Sequence, residues 1–281
     1  DHYNRYKEDI GLMQRLGITA YRFSISWSRA LQGLDFYSRL VDALLEAGIT
    51  PFATLYHWDL PEVLDYCGGW QNDMSPHWVA RYAGEVFDVL GSRVPYWATI
   101  NEPWVVMDAG YRTGIHAPGI SSPYAAVRVS RHLLLAHACA VREYRDRKLP
   151  GQIGLVVNLT PKHPHSKKEE DVRAARLADA YLNRQFLDPV FFGKYLEDMP
   201  EIFGEAWEET SPEDLQAMRA PVDFIGVNYY MRDLVTYDPA AWLTAGSVRM
   251  EKSLYTEMGW EVYPAGLTEI LGWARDRYGD I

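Results

Sequence analysis

Three features of the sequence predict an α/β fold of the (β/α)8 barrel type, with about five of the eight strands present. Short apolar runs alternate with amphipathic helical stretches along the whole length, the pattern of a parallel sheet wrapped by helices. The strand-like runs begin near residues 20, 50, 96, 153 and 223, and polar and aromatic residues gather where each one ends: Ser26-Trp27, His57-Trp58, Asn101-Glu102, Asn158 and Asn228-Tyr229-Tyr230. Chemistry at the C-terminal ends of parallel strands is the expectation for a barrel. No glycine-rich dinucleotide fingerprint follows the first run, which argues against an open nucleotide-binding sheet.

The elements follow in order. Residues 3–16 read as a helix with Tyr6, Ile10, Met13 and Leu16 on one face and Gly17 as its stop. A strand over 19–26 comes next, then a helix over 35–47 carrying Leu40, Val41, Leu44 and Leu45 and ending at Gly48. A strand over 49–56 leads to a helix over 75–90 whose Ser75-Pro76 start suits a helix N-terminus. Beyond it lie a strand over 96–100, a long helix over 122–147, a strand over 153–159 and a helix over 169–186. Short helical pieces fill 196–220, a strand covers 223–228, and a helix over 265–278 is the last element. A barrel typically takes about 250 residues, so 281 residues have room for eight strands, yet only five are legible. The expectation is one barrel domain over 1–281, incomplete at both ends.

Composition narrows the function. Lys and Arg number 28 against 38 Asp and Glu, a net charge of −10; without a basic run this disfavours nucleic acid as a partner. No apolar stretch reaches the length of a membrane span. Two cysteines, Cys67 and Cys139, cannot staple a disulfide scaffold; they read as unpaired thiols and suit a reducing, cytoplasmic setting. Aromatic residues make up 14%, with 10 Trp and 19 Tyr, more than a core needs, and sugar faces stack well on aromatic rings. Neither a metal nor an organic cofactor is expected. His163-Pro164-His165 lacks a ligand set at a familiar spacing and reads as a solvated loop, with 167–171 as a solvated helix start. His132 and His137, five apart on a helix, face different ways and form no zinc pair.

The strongest chemical signal is Thr99-Ile100-Asn101-Glu102-Pro103-Trp104. A Glu at the C-terminal end of a barrel strand projects into the mouth, and Pro103, which has no N–H to donate, ends the strand. Asn101 offers both a donor and an acceptor, which suits a sugar hydroxyl.

This stretch resembles the fourth-strand motif of retaining (β/α)8 glycosidases. Further motifs resemble glycoside hydrolase family 1, the β-glucosidase family: Tyr21-Arg22-Phe23-Ser24-Ile25-Ser26-Trp27, Leu55-Tyr56-His57-Trp58-Asp59-Leu60-Pro61, Gly226-Val227-Asn228-Tyr229-Tyr230 and Glu257-Met258-Gly259-Trp260. They occur in the family's order and run nearly end to end. The resemblance implies a retaining β-glycosidase acting on small β-glucosides. Glu102 would be the general acid/base, and Asn101 would hold the glycone 2-hydroxyl. His57 and Trp58 would line the glycone pocket. Arg22 and Tyr230 would contact the nucleophilic carboxylate, Asn228 would join the polar network, and Trp104 and Trp260 would border the aglycone. A 6-phospho-β-glycosidase on the same fold, or an inactive sugar-binding barrel, are the alternatives.

The departures from the family are as informative. Its nucleophile, a Glu in a Thr-Glu-Asn-Gly stretch, has no counterpart in this sequence and is expected beyond Ile281. The first-strand Gln and the C-terminal Glu and Trp of the glycone pocket have no counterpart either. Between Arg29 and Asp35 the family's Pro/Gly-rich loop is almost deleted. The expectation is that residues are missing before Asp1, after Ile281 and between Leu31 and Gln32.

Overall fold

A computed structural model of the chain describes residues 1–280. Helix α1 (His2–Arg15) precedes strand β1 (Ala20–Ser24), followed by α2 (Asp35–Glu46), β2 (Thr50–Tyr56), α3 (Ser75–Leu90) and β3 (Tyr96–Asn101). After β3 come the short α4 (Pro103–Met107), the long α5 (Pro123–Asp146), β4 (Gln152–Asn158), β5 (Lys162–Pro164) and α6 (Glu169–Asp179). The chain continues with β6 (Phe224–Asn228), β7 (Asp233–Tyr237), β8 (Ala245–Ser247) and α7 (Ala265–Tyr278). The five expected strands pair in the order β1-β2-β3-β4-β6, every neighbour parallel.

The sheet curls as part of a barrel. Phe52 on β2 and Phe224 on β6 are three strands apart, yet their ring centroids lie 5.5 Å from each other. Three inter-strand steps in a flat sheet span about 14 Å, and parallel side chains would not converge. Close approach of β4 and β6 depends on Gly154: a Cβ there would lie 2.3 Å from the Phe224 carbonyl oxygen.

The outer face of the sheet packs on helices. Trp97 and Thr99 of β3 point this way, Trp97 meeting Phe87 of α3 edge-on at 4.9 Å and Thr99 bonding His137 of α5. Phe87 also meets Tyr144 of α5 at 5.5 Å, which joins the two long helices behind the sheet. Helix α5 starts at Pro123, and Ser122 accepts a hydrogen bond from the Ala125 N–H at 3.3 Å, which caps it; Ser75, expected to cap α3, lies inside that helix after Met74 and makes no capping bond. His132 and His137 bond different elements, the Trp70 carbonyl and the Thr99 hydroxyl. At the far edge α7 is anchored by Asp188, which is buried and accepts from Arg277 and Tyr278.

Two expectations are corrected, at residues 163–165 and at the start of α6. Around Leu31–Gln32 the chain forms a turn: the N–H groups of Leu31, Gln32 and Gly33 donate to Trp27, Arg29 and Ala30 carbonyls at 3.1, 2.9 and 3.0 Å. A one-turn helix, Trp27–Ala30, closes directly into α2 through this turn, so a short connection replaces the loop. Residues 162–164 are not a solvated loop but strand β5, part of a second, three-stranded sheet in the order β5-β7-β8. Its Lys162 pairs with Asp233 at 3.1 Å, both largely buried, and His163 meets Glu269 of α7 at 3.0 Å. The start of α6 is not wholly solvated either. Asp171 is buried and accepts from Ser166, Thr236 and the Tyr237 N–H, and these bonds hold its carboxyl at about 2. The two thiols are unpaired, Cys67 exposed and Cys139 buried.

Candidate active site

The polar residues at the strand ends form one hydrogen-bonded cluster in the mouth of the curled sheet. Arg22 and Ser24, two apart on β1, share a face. The Arg22 Nε donates to Thr54 Oγ1 at 2.9 Å, and its Nη2 reaches over β2 to Asn101 Oδ1 at 2.8 Å. Asn101 Nδ2 faces His57 Nε2 at 3.2 Å, and His57 Nδ1 lies 2.7 Å from the Ser24 hydroxyl.

Donor logic fixes the imidazole. Arg22 only donates, so Asn101 presents oxygen to it and nitrogen to His57. His57 Nε2 therefore accepts and Nδ1 carries the proton, which it donates to Ser24. Burial, and then the nearby Arg22 cation, push the His57 pKa down, so the neutral ring is the stable form. Burial also lowers the pKa of the Arg22 guanidinium, opposed by the Glu102 carboxylate.

Strict alternation along β3 would send Asn101 outward with Trp97 and Thr99. The register of β3 on β4 shifts between Ala98 and Asn101, and such an irregularity re-aims a side chain. Glu102 then adopts a left-handed backbone, φ 49° and ψ 67°, a conformation that costs a non-glycine residue about 1 kcal/mol or more and gathers at functional sites. Two consecutive residues thus reach the same mouth. Glu102 is 4% exposed; its Oε1 accepts from Asn228 Nδ2 and, at 3.1 Å, from the Tyr230 hydroxyl. Burial and the Glu102 charge raise the Tyr230 pKa, so the phenol remains a donor.

The aromatic residues frame the cluster unequally. Trp58, also left-handed at φ 81°, donates its indole N–H to the Asn101 carbonyl at 2.9 Å and is 39% exposed. It also lines a cleft of about 320 Å³ with Asp59, Tyr111 and His116, apart from Glu102. Trp260 packs against Tyr230 with ring centroids 4.9 Å apart. Trp104 lies half-buried and edge-on to Tyr181 at 5.6 Å.

The structure therefore brings Arg22, His57, Asn101, Glu102, Asn228 and Tyr230 into one network, with Trp58 and Trp260 against it and Trp104 beside it. Arg22 and Tyr230, expected on a nucleophile outside this chain, here hold Asn101 and Glu102. Sequence reasoning missed Ser24 and Thr54. The period-2 relation of Ser24 to Arg22 was available as a signal; for Thr54, an ordinary strand residue, none was.

Comparison with known proteins identifies the family and the fold. The chain is 44% identical to beta-glucosidase A of Thermotoga maritima over 99% of its own length and 64% of the relative's. It is also 44% identical to beta-glucosidase A of Acetivibrio thermocellus, covering 63% of it, and 36% identical to a 6-phospho-beta-glucosidase of Bacillus subtilis, covering 65%. The chain thus spans a little under two thirds of these relatives. A solved family 1 β-glucosidase from Thermotoga maritima superposes with a TM-score of 0.96, covering 99% of this chain and 65% of that one. The same enzyme in complex with glucoimidazole gives 0.95. The family profile described as glycosyl hydrolase family 1 matches residues 1–281, and on this whole-length match the chain belongs to glycosyl hydrolase family 1.

Proposed function

We propose that the protein is a retaining β-glucosidase in which Glu102 is the general acid/base. The observation that carries this reading is the buried Glu102 at the end of β3, held by Asn228 and Tyr230 beside an Asn101 already oriented by Arg22. A glycosidic oxygen placed against Glu102 receives its proton as the bond to the sugar breaks. The nucleophile in this reading is a second carboxylate, which attacks the anomeric carbon and forms a glycosyl-enzyme. Glu102, now ionised, takes a proton from water, and the hydroxide equivalent releases the sugar. Asn101 offers a hydrogen bond to the glycone 2-hydroxyl, an interaction that strengthens as the ring approaches an oxocarbenium ion. Among the relatives, those at 44% identity are named beta-glucosidases and the 6-phospho enzyme stands at 36%, which favours unphosphorylated glucosides.

The test is Glu102→Gln in the full-length enzyme. Hydrolysis of alkyl glucosides, whose leaving groups need a proton, falls about 10³-fold. Activated aryl glucosides lose far less, and added azide yields a β-glycosyl azide. Equal losses on both substrates, with no azide product, remove Glu102 from this role.

A further inference from the structure

One buried ion pair lies outside the catalytic cluster but adjoins it along the chain on both sides. Glu261 is 6% exposed; it accepts from Arg232 Nε at 2.7 Å and Nη2 at 2.9 Å, and from the Ser253 hydroxyl at 2.5 Å. Arg232 follows Tyr230 by two residues, and Glu261 directly follows Trp260.

We infer that Glu261 and Arg232 form a positioning tie that locks the Trp260 loop onto the Tyr230 segment and thereby holds the Tyr230 hydroxyl in the catalytic cluster. The inference rests on the reading of Glu102 as acid/base.

The contacts support it step by step. Tyr230 is 48% exposed, so burial alone does not fix its ring; Trp260 backs it at a centroid distance of 4.9 Å. Trp260 in turn closes a tight turn: the Gly259 N–H donates to Thr256 at 2.9 Å and the Thr256 N–H to Trp260 at 2.9 Å. Gly259 sits there at φ 80°, which glycine adopts without a Cβ penalty. Beyond the turn, Glu261 bridges Tyr255, and the Val262 N–H donates to Leu254 at 2.8 Å. The hairpin is thus well made internally, but an internal hairpin does not settle where it sits. The fork of Arg232 on Glu261 supplies that placement, because two parallel bonds define an orientation as well as a distance. The same guanidinium lies 4.0 Å over the Tyr263 ring, and the Tyr229 hydroxyl donates to the Tyr263 carbonyl. Buried ion pairs often add little stability over apolar residues of similar volume, so the paired charges are read as a device for registry.

The test uses the full-length enzyme and an aryl β-glucoside. Arg232→Met, which keeps the stem and removes the fork, lowers kcat/KM about tenfold, equivalent to one lost transition-state hydrogen bond. Tyr230→Phe removes the hydroxyl at the end of the same chain of contacts. The double variant therefore loses no more than the worse single, whereas losses that multiply overturn the inference. Arg232→Lys restores part of the activity, and Glu261→Gln, which keeps shape and one bond, gives a smaller loss in the same direction should Arg232→Met fold poorly. Hydrogen exchange reads the tie without activity: amides of 254–262 exchange faster in Arg232→Met or Glu261→Gln while those of α3 and α5 do not. Unchanged exchange overturns the tie itself. A fully active Tyr230→Phe enzyme overturns the catalytic role of that hydroxyl, and with it the positioning claim.

Discussion

Arg22 on β1 is joined to Asn101 on β3 by a 2.8 Å hydrogen bond from Nη2 to Oδ1 that passes over the strand between them. This bond decides which way the Asn101 amide faces, and so which nitrogen of His57 accepts. One guanidinium thereby orders four side chains, Thr54, Asn101, His57 and Ser24, before any sugar arrives. Preorganised donors cost no rearrangement at the moment of reaction.

Arg22→Lys follows from that relationship. A lysine ammonium is a point charge on a flexible stem and cannot serve Thr54 and Asn101 as one planar fork. The Asn101 amide is then free to turn over, and kcat/KM of the full-length enzyme falls by at least about tenfold, or 1.4 kcal/mol. Steady-state kinetics on an aryl glucoside measure it, and an unchanged value would mean that Asn101 is oriented without Arg22.

Trp58→Phe removes one donor and little area. The lost indole bond to the Asn101 carbonyl lowers stability by about 1 kcal/mol. It appears as a lower denaturant midpoint at constant slope. A midpoint equal to that of the parent chain would show the bond to be energetically idle.

Trp260→Ala separates aglycone stacking from placement of Tyr230. If the indole walls the aglycone side, KM rises mainly for long or aromatic aglycones. If its main service is to back Tyr230, aryl and small alkyl glucosides suffer alike and kcat falls. Comparing kcat and KM for a short alkyl and an aryl glucoside distinguishes the two.

His137 makes stability depend on pH. It is fully buried on the Thr99 hydroxyl, and desolvation depresses its pKa from 6.5 to about 4. Between those values the unfolded chain holds the proton and the folded chain does not, so acid favours unfolding. The stability is complete above pH 6.5 and is lost as pH falls toward 4, to an extent of up to about 3 kcal/mol. Urea unfolding at pH 7 and pH 4.5 measures the slope, and His137→Gln, which can still bond Thr99, reduces it. A variant with the same pH slope as the parent would clear His137 of the effect.

The sequence by itself determined the five parallel strands, the helices between them and the position of Asn101-Glu102 at a strand end. Those features are local: hydrophobic period, capping residues and a strand-ending Pro103 act within a few residues. It did not determine the second sheet, because β5 and β8 are three residues each, too short for any period to show. Nor did it determine the partners. Arg22 meeting Asn101, Tyr230 meeting Glu102 and Arg232 meeting Glu261 join residues 79, 128 and 29 positions apart. Curvature of the sheet, the register shift in β3 and the left-handed backbone of Glu102 bring them into reach. Only tertiary structure decides such contacts, because their free energy comes from burial and geometry that no local stretch of chain possesses.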